Sequence, residues 1–343
     1  MFPAAASLAF GTVLSVRDAV FPAHPFSGLL AIARERAWPL QNLFPSLLEP
    51  GHSHITYLEA RAGVLCAQQQ GLADLGIWSG ERKSLAQLGL ISAGIGAHDT
   101  LLEALKFALE YQMVAGSMLD LQLQIDAHEA SLCAYPLFDD RELEDFLAVD
   151  HLLTAFNVAR QLCGPAFRLL RLELRVPQLR RLSLYEQSFA APVKLGAARC
   201  RIVFPRDLLQ HRLAQPDQAR VLSVRQHCQD ELSAAGVLGR RSLLHILVGL
   251  DCQLHSVADS AAALNISPRS LHRLLAREGS SYFQISENLR IVRAKHLLQS
   301  GEAIERIAEA LGYSDTRSWR RAFKRATGST PGAYRAGLIG LDA

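Results

Sequence analysis

Hydrophobic residues alternate with polar ones over Leu119–Ile125, which predicts a β-strand with one apolar face. Ser131–Leu137 is expected to return as the second strand of a hairpin, and Leu170–Val176 and Arg201–Phe204 predict two more strands. Between them, Glu142–Leu162 carries apolar residues at helical spacing, which predicts a long amphipathic helix. This part of the chain is therefore expected to be α+β.

After the polar segment Gln215–Asp217, the alternating pattern disappears and only helical spacing continues to the end of the chain. The 343 residues exceed the usual size of one domain. We predict an α+β domain over 1–214, a helical linker over 215–236 and an all-α domain over 237–343. A further helix is expected within Leu101–Met113, capped by Asp99 or Thr100.

The first candidate site begins where Ser256 and Asp259 have the spacing of a capping box at a helix start. The turn Asn265–Ile266 leads to Ser267 and Pro268, which suit the cap and the first position of a second helix. Two helices joined by such a short turn form a helix-turn-helix unit, whose second helix enters the DNA major groove. The side chains predicted to face outward on that helix are Arg269, Ser270, His272, Arg273 and Arg277.

The same pattern recurs near the end of the chain. Ile304–Leu311 carries a buried stripe, Gly312–Tyr313 makes the turn, and Ser314 is the predicted cap of the next helix. Trp319 and Phe323 are expected on the core side of that helix, together with Ala322. Its outer side carries Thr316, Arg317, Arg320, Arg321, Lys324 and Arg325, a positive charge density that is unusual without balancing carboxylates.

One predicted helix separates the two units. It extends over Tyr282–Gln299, and the prediction rests on the helical spacing of Ile285, Leu289, Val292 and Leu297 or Leu298. Its length would be about 27 Å at 1.5 Å per residue. Successive major grooves on one face of DNA lie about 34 Å apart, so two units held by this helix could enter neighbouring grooves.

The net charge supports a DNA-binding C-terminal part only when it is counted separately for each region of the chain. The net charge of the chain is +3, but residues 251–343 hold 13 Lys and Arg against nine Asp and Glu, which makes the C-terminal part the basic one. No run of uncharged apolar residues is long enough for a membrane span, and the N-terminus lacks the basic start of a signal peptide. A cytoplasmic protein is therefore expected.

Metal and catalytic sites are not indicated. The cysteines at 66, 133, 163, 200, 228 and 252 form no CxxC pair, and the histidines at 52, 54, 98, 128 and 151 lack metal-ligand spacing. The acidic run Asp139–Asp145 suits a helix start. Because the sequence also lacks a GxSxG elbow, a phosphate-binding glycine loop and a Pro-Cys-His motif, we expect no enzyme, no cofactor and no metal.

The run Ile304–Asp315, followed by Arg321–Arg325, Gly328, Thr330–Pro331 and Tyr334–Arg335, resembles the signature of the AraC/XylS family of bacterial transcription regulators. The resemblance extends over about Leu238–Ala336. Leu85–Leu213 is similar, more weakly, to the effector-binding and dimerisation domain of the ornithine-utilisation-regulator subgroup; the similarity rests on the segments 87–90, 100–111 and 189–204.

This resemblance implies base-edge contacts from Arg269, His272 and Arg273 in the first unit and from Thr316, Arg317 and Arg321 in the second. Trp319 departs from the Phe or Leu usual in the family, and Arg320 adds charge. We therefore predict a sequence-specific regulator that binds promoter DNA, responds to a small-molecule effector, forms a homodimer and contacts RNA polymerase. In the alternative, its first domain binds only proteins. The complete predicted DNA-binding set is Arg269, Ser270, His272, Arg273, Thr316, Arg317, Arg320, Arg321 and Lys324.

Overall fold

The computed structural model describes residues 13–39, 43–45, 54–237, 240–250 and 255–339, so His52 and Cys252 lie outside the described residues. The backbone forms two compact units, one comprising Leu14–Arg240 and the other including the residues from Arg241 onward. We call them the N-terminal unit and the C-terminal unit. The N-terminal unit mixes helices and strands and the C-terminal unit is mainly helical, which confirms the predicted fold class.

The N-terminal unit is built mostly from helices around one five-stranded sheet. Its first strands are short: β2 and β3 pair antiparallel, with Phe21 opposite Ile55. The strands of the chain up to residue 205 are β1 (Val13–Leu14), β2 (Phe21–Pro22), β3 (His54–Ile55), β4 (Leu119–Ile125), β5 (Glu129–Pro136), β6 (Arg171–Glu173), β7 (Val193–Lys194) and β8 (Cys200–Pro205). The helices are α1 (Ser27–Glu35), α2 (Tyr57–Gln69), α3 (Leu75–Glu81), α4 (Ile91–Ile95), α5 (Leu101–Glu110), α6 (Arg141–Cys163), α7 (Leu182–Phe189) and α8 (Gln218–Ala234).

The sheet has the strand order β4-β5-β8-β6-β7. The predicted hairpin is present: β4 and β5 pair antiparallel, with Leu119 opposite Pro136 and Ile125 opposite Ala130. Strand β8 pairs antiparallel with both β5 and β6, whereas β6 and β7 are parallel. The strand predicted over 170–176 is shorter than expected, because only Arg171–Glu173 pairs along β8.

Helix α6 is the long helix predicted from apolar spacing, and it crosses the centre of the core. Asp140 caps it by accepting a hydrogen bond from the Leu143 N–H at 3.3 Å. Buried Leu143, Leu152 and Phe156 belong to the main hydrophobic cluster of the N-terminal unit. The predicted helix after Asp99 begins with Thr100 as the cap, in a capping box with Glu103.

The C-terminal unit packs its helices around two separate hydrophobic clusters, one for each predicted helix-turn-helix unit. None of the helices in the described part of the chain combines the length and hydropathy that crossing a bilayer requires. Besides the short strand β9 (Arg241–Ser242), the elements are α9 (Leu243–Gly249), α10 (Val257–Ala263), α11 (Pro268–Arg277), α12 (Tyr282–Gln299), α13 (Ile304–Ala310), α14 (Thr316–Thr327) and α15 (Pro331–Ile339).

Candidate DNA-binding surface and interior cavity

The first helix-turn-helix unit consists of α10, a tight turn and α11. Ser256 and Asp259 form the predicted capping box, each side chain accepting a hydrogen bond from the other's backbone N–H at 3.1 Å. Asn265 has φ +54°, in the left-handed region, and the Ile266 N–H donates to the Ala261 carbonyl at 3.0 Å. This Schellman-type bond closes the end of α10 and turns the chain toward α11.

The second unit uses the same backbone turn with a different residue. Gly312 has φ +74°, and the Tyr313 N–H donates to the Ala308 carbonyl at 3.0 Å. The prediction that Ser314 caps the next helix is wrong. Asp315 is the cap, accepting from the Ser318 N–H at 2.7 Å, so this turn is one residue longer than the first.

Asp315 is a good cap because its carboxylate has two oxygens and accepts two hydrogen bonds from Ser318. Its Oδ1 takes the backbone N–H and its Oδ2 takes the hydroxyl at 2.7 Å. These bonds from Ser318 lower the pKa of Asp315 below its ordinary value. Thr316 thereby becomes the first residue of α14, at the end expected to approach DNA.

We call α11 and α14 the recognition helices. Each is held in place by a buried face, and the two buried faces differ in composition. Leu271 and Leu275 on α11 are fully buried against leucines and Ile285. On α14, Trp319 and Phe323 are fully buried as predicted, with ring centroids 5.9 Å apart. The first helix is therefore anchored by aliphatic packing and the second by aromatic packing.

Helix α12 has the predicted bounds and takes part in both clusters. Ile285 packs into the first cluster, whereas Ile291 and Leu298 pack into the second. The predicted apolar position Val292 is half-buried and belongs to neither cluster. At the start of α12, the Tyr282 hydroxyl lies 2.7 Å from the Ser260 hydroxyl, which ties α12 to α10.

The outer faces of the recognition helices carry the predicted DNA-binding side chains. Arg269, His272 and Arg273 are exposed on α11, and Ser270 is half-buried. The backbone N–H of Ser270 donates to the capping Ser267 hydroxyl at 3.1 Å. Two arginines and a histidine near the start of α11 thus face solvent.

On α14, Thr316 is half-buried, while Arg317, Arg320, Arg321 and Lys324 are exposed, as is the flanking Arg325. Arg320 has a loose ion pair with Glu305, with 3.9 Å between nitrogen and oxygen. Arg321 donates to the Ser318 hydroxyl at 3.4 Å. Within the described parts of the chain, no carboxylate forms an ion pair with Arg317, Arg321 or Lys324.

The structure also contains a site that the sequence did not predict. A cavity of about 110 Å³, partly open to solvent, lies in the N-terminal unit between α4, α5, α6 and the hairpin strands β4 and β5. Its lining is mainly aliphatic, with Ile91 from α4, Leu105 from α5 and Val158 from α6. A few polar side chains, including Lys83 and His151, also face it.

Lys83 forms a buried ion pair with Asp150, and both side chains are only 4% exposed. The Lys83 ammonium also donates to the Pro25 carbonyl at 3.2 Å. Burial by itself would raise the pKa of Asp150, but Lys83 and the adjacent His151 outweigh it, so the pKa lies below its ordinary value. The Asp150 carboxylate is therefore stabilised by its pairing with Lys83.

Among the residues that the structure describes, no group of three or more His, Cys, Asp or Glu could hold a metal ion. Burial raises the pKa of Cys163 to about 11 and that of Cys200 to about 12, which keeps both as thiols near neutral pH.

Comparison with known proteins agrees with this geometry. Residues 45–213 match the family model of the arabinose-binding N-terminal domain of AraC transcription regulators, and residues 260–337 match a helix-turn-helix domain. The ornithine utilization regulator of Pseudomonas aeruginosa is 24% identical over 310 residues, which cover 89% of this chain and 91% of that protein.

Two further proteins of Pseudomonas aeruginosa are similar to this chain. The regulator VqsM is 32% identical over 158 residues, covering 45% of this chain and 49% of its own. The crystal structure of the regulator CdpR covers 91% of this chain and 96% of its own, at 23% identity and a TM-score of 0.44.

These matches are to DNA-binding regulators, in agreement with the expectation that the chain is not an enzyme. The two matched segments cover most of the N-terminal unit and nearly all of both helix-turn-helix units. The chain therefore belongs to the AraC family and is a transcription regulator that binds DNA.

Proposed function

We propose that this regulator reads promoter DNA with both recognition helices and that a small molecule bound in the N-terminal unit controls its activity. One observation carries the proposal: two separately capped helices each bury one face and present cations on the other. Helix N-termini and arginine side chains are suited to phosphates and to guanine edges.

The positions of the side chains suggest how the contacts divide. Arg269, Arg273, Arg317 and Arg321 lie within the first six residues of their helices and would reach base edges. His272, Ser270 and Thr316 offer weaker hydrogen-bonding contacts beside them. Lys324, one turn further along α14, would hold a phosphate, and Arg320 would do so after leaving Glu305. Specificity would therefore come from the helix starts.

Binding of the purified full-length chain to its own upstream DNA tests this proposal. The affinity should exceed that for shuffled DNA and should fall steeply as salt is raised, because each phosphate contact releases counterions. Arg306→Ala is a suitable control, since Arg306 is 78% exposed on α13, outside the recognition helices. Equal affinity for both DNAs would contradict sequence-specific binding.

Effector control is supported by the cavity in the N-terminal unit, because ligand sites are typically apolar cavities with a few polar groups. In the same proposal the chain acts as a cytoplasmic homodimer and contacts RNA polymerase. Sedimentation of the chain with and without promoter DNA tests the dimer, and transcription with purified polymerase tests the second contact.

The alternative, in which the N-terminal unit binds only proteins, makes a different prediction. If a metabolite controls the regulator, a pool of cell metabolites will raise the thermal unfolding midpoint and change the affinity for promoter DNA. Filling the cavity with Ala155→Leu should abolish both responses. Responses that persist unchanged in this variant would place the effector elsewhere.

A further inference from the structure

We propose that the cavity takes a small, uncharged and mainly apolar molecule with one hydrogen-bond acceptor, and that it does not take a sugar or an amino acid. The inference rests on the proposed effector control and gives it a ligand class. It also departs from the description of the matched domain model as arabinose-binding and from the name of the ornithine utilization regulator. Three properties of the cavity support it.

The first property is that three of its polar side chains, Thr154, Ser117 and Gln112, already have partners inside the protein. Thr154 donates to the Asp150 carbonyl at 2.7 Å, and Ser117 donates to the Leu119 carbonyl at 2.8 Å. Gln112 accepts from the Leu121 N–H at 2.8 Å, and its amide nitrogen lies 3.4 Å from the Leu121 carbonyl. A sugar would bring several hydroxyl groups, and each unpaired one would cost free energy on burial.

The second property is charge. Lys83 pairs with Asp150 at the wall of the cavity, the Nδ1 of His151 lies 3.3 Å from the same carboxylate oxygen, and the Nε2 of His151 accepts from the Met118 N–H at 3.4 Å. An anionic or a cationic ligand would therefore enter a neutral, apolar space without a counterion, which is unfavourable. Ornithine, with two amino groups and a carboxylate, fits such a space poorly.

The third property is a donor without a partner among the described residues, on Gln87, a half-buried residue that lines the cavity. Gln87 accepts from the Ser84 N–H at 2.8 Å and from the Ser84 hydroxyl, both through Oε1. Its amide nitrogen forms no hydrogen bond with any residue in the described part of the chain. Because an amide nitrogen donates and does not accept, the head group that it would bind is an acceptor such as a carbonyl or ether oxygen.

The volume agrees with a small ligand. An apolar cavity of about 150 Å³ holds one benzene molecule, so a cavity of about 110 Å³ suits a short alkyl chain or a small ring. Alanine side chains at 104, 108, 155 and 159 border this space. A leucine at Ala155 on α6 or at Ala108 on α5 would fill it.

The test compares probes of similar length and different charge on the full chain. Butyl methyl ketone, hexanoate, hexylammonium, arabinose and ornithine are titrated separately, and binding is followed by saturation-transfer NMR and by the thermal unfolding midpoint. We expect the ketone to bind and to raise the midpoint. Hexanoate, hexylammonium, arabinose and ornithine should bind at least about tenfold more weakly, a difference of about 1.4 kcal/mol.

Substitutions in the wall of the cavity test whether the ketone binds there. Ala155→Leu and Ala108→Leu should each weaken ketone binding, and either one suffices if the other fails to fold. Ala219→Leu is the matched control, because Ala219 is exposed on α8. Gln87→Glu keeps the acceptor for Ser84 but removes the amide donor, so it should also weaken ketone binding.

Three results would overturn the inference: stronger binding of a charged probe or of arabinose, ketone binding that survives both leucine variants, or no ketone binding at all. The effector proposal is judged separately by whether a metabolite pool changes DNA affinity. A pool response together with any of these three results would reject the ligand class alone. Absence of a pool response would reject effector control itself.

Discussion

The two helix-turn-helix units share a backbone turn but differ in what stabilises it. Both close their first helix with the same Schellman-type bond, from Ile266 to Ala261 and from Tyr313 to Ala308. The first uses Asn265 at the left-handed position and the second uses Gly312. The repeated unit is thus defined by its hydrogen bonds and its buried stripe, and different side chains can satisfy the same geometry.

The outer faces of the two recognition helices differ more than the turns of the two units do. Helix α11 presents Arg269, Arg273 and Arg277, whereas α14 presents five cations over twelve residues. Because non-specific affinity grows with the number of phosphate contacts, the second unit should supply the larger share of salt-dependent binding. The comparison between the units can be sharpened or broken by four kinds of experiment, in order of expected effect.

The largest effect is expected in the cores. Trp319→Ala should lower the free energy of unfolding by about 3 to 5 kcal/mol, because it leaves a large cavity beside Phe323. Leu275→Ala in the first unit should cost about 2 to 5 kcal/mol. Denaturant unfolding of the full chain measures both, with the exposed Arg325→Ala as the control. Costs below about 1 kcal/mol for both core variants would contradict two independently packed units.

The next effect concerns DNA affinity. Arg321→Ala should cost about 1 to 3 kcal/mol and relax the preference at one base pair. Lys324→Ala should weaken all sequences alike and reduce the salt slope by about one. Fluorescence anisotropy on a panel of single-base variants of the upstream DNA separates the two. If both variants bind every DNA like the parent, α14 does not contact DNA.

A smaller effect is expected at the turns. Gly312→Ala should cost about 1 to 2 kcal/mol, because alanine is strained at φ +74°. Apart from its two chain neighbours, no described residue has an atom within 4 Å of where its Cβ would stand, so the cost comes from the backbone alone. Asn265→Gly, at the matching position, should be neutral or slightly stabilising. Thermal unfolding compares the two, and equal midpoints for them would contradict the shared geometry.

The smallest effect distinguishes the caps. Ser267→Ala should cost about 1 kcal/mol at any pH, since its hydroxyl does not titrate in this range. The pKa of Asp315 is lowered in the folded chain, so its stabilisation is complete above about pH 4 and is lost as the pH falls through the folded value. Hydrogen exchange of the Ser318 N–H between pH 2 and 5 follows this loss. An exchange protection independent of pH would argue against the aspartate cap.

Much of the C-terminal unit could be predicted because its helices carry strong local signals. Pro268 with Ser267 fixed the start of α11, and apolar spacing gave both bounds of α12. The cap of α14 was misplaced by one residue, because Ser314 and Asp315 are both good caps by type and only the backbone path selects Asp315.

The cavity could not be predicted, because periodicity indicates which face of an element is buried but not whether the facing side chains meet. Small residues on α5 and α6, such as Ala108 and Ala155, leave the space, and they come from segments far apart in the chain. The Lys83–Asp150 pair joins positions 67 residues apart and carries no local signal.

The most direct test of the account is a footprint of the full chain on its upstream DNA, with the parent, Arg273→Ala and Arg321→Ala measured side by side. We predict protection in two successive major grooves on one face of the duplex, about 34 Å apart. Each variant should lose protection mainly in its own groove. A single protected groove, or the same loss from both variants, would contradict the claim that two units of one chain read DNA separately.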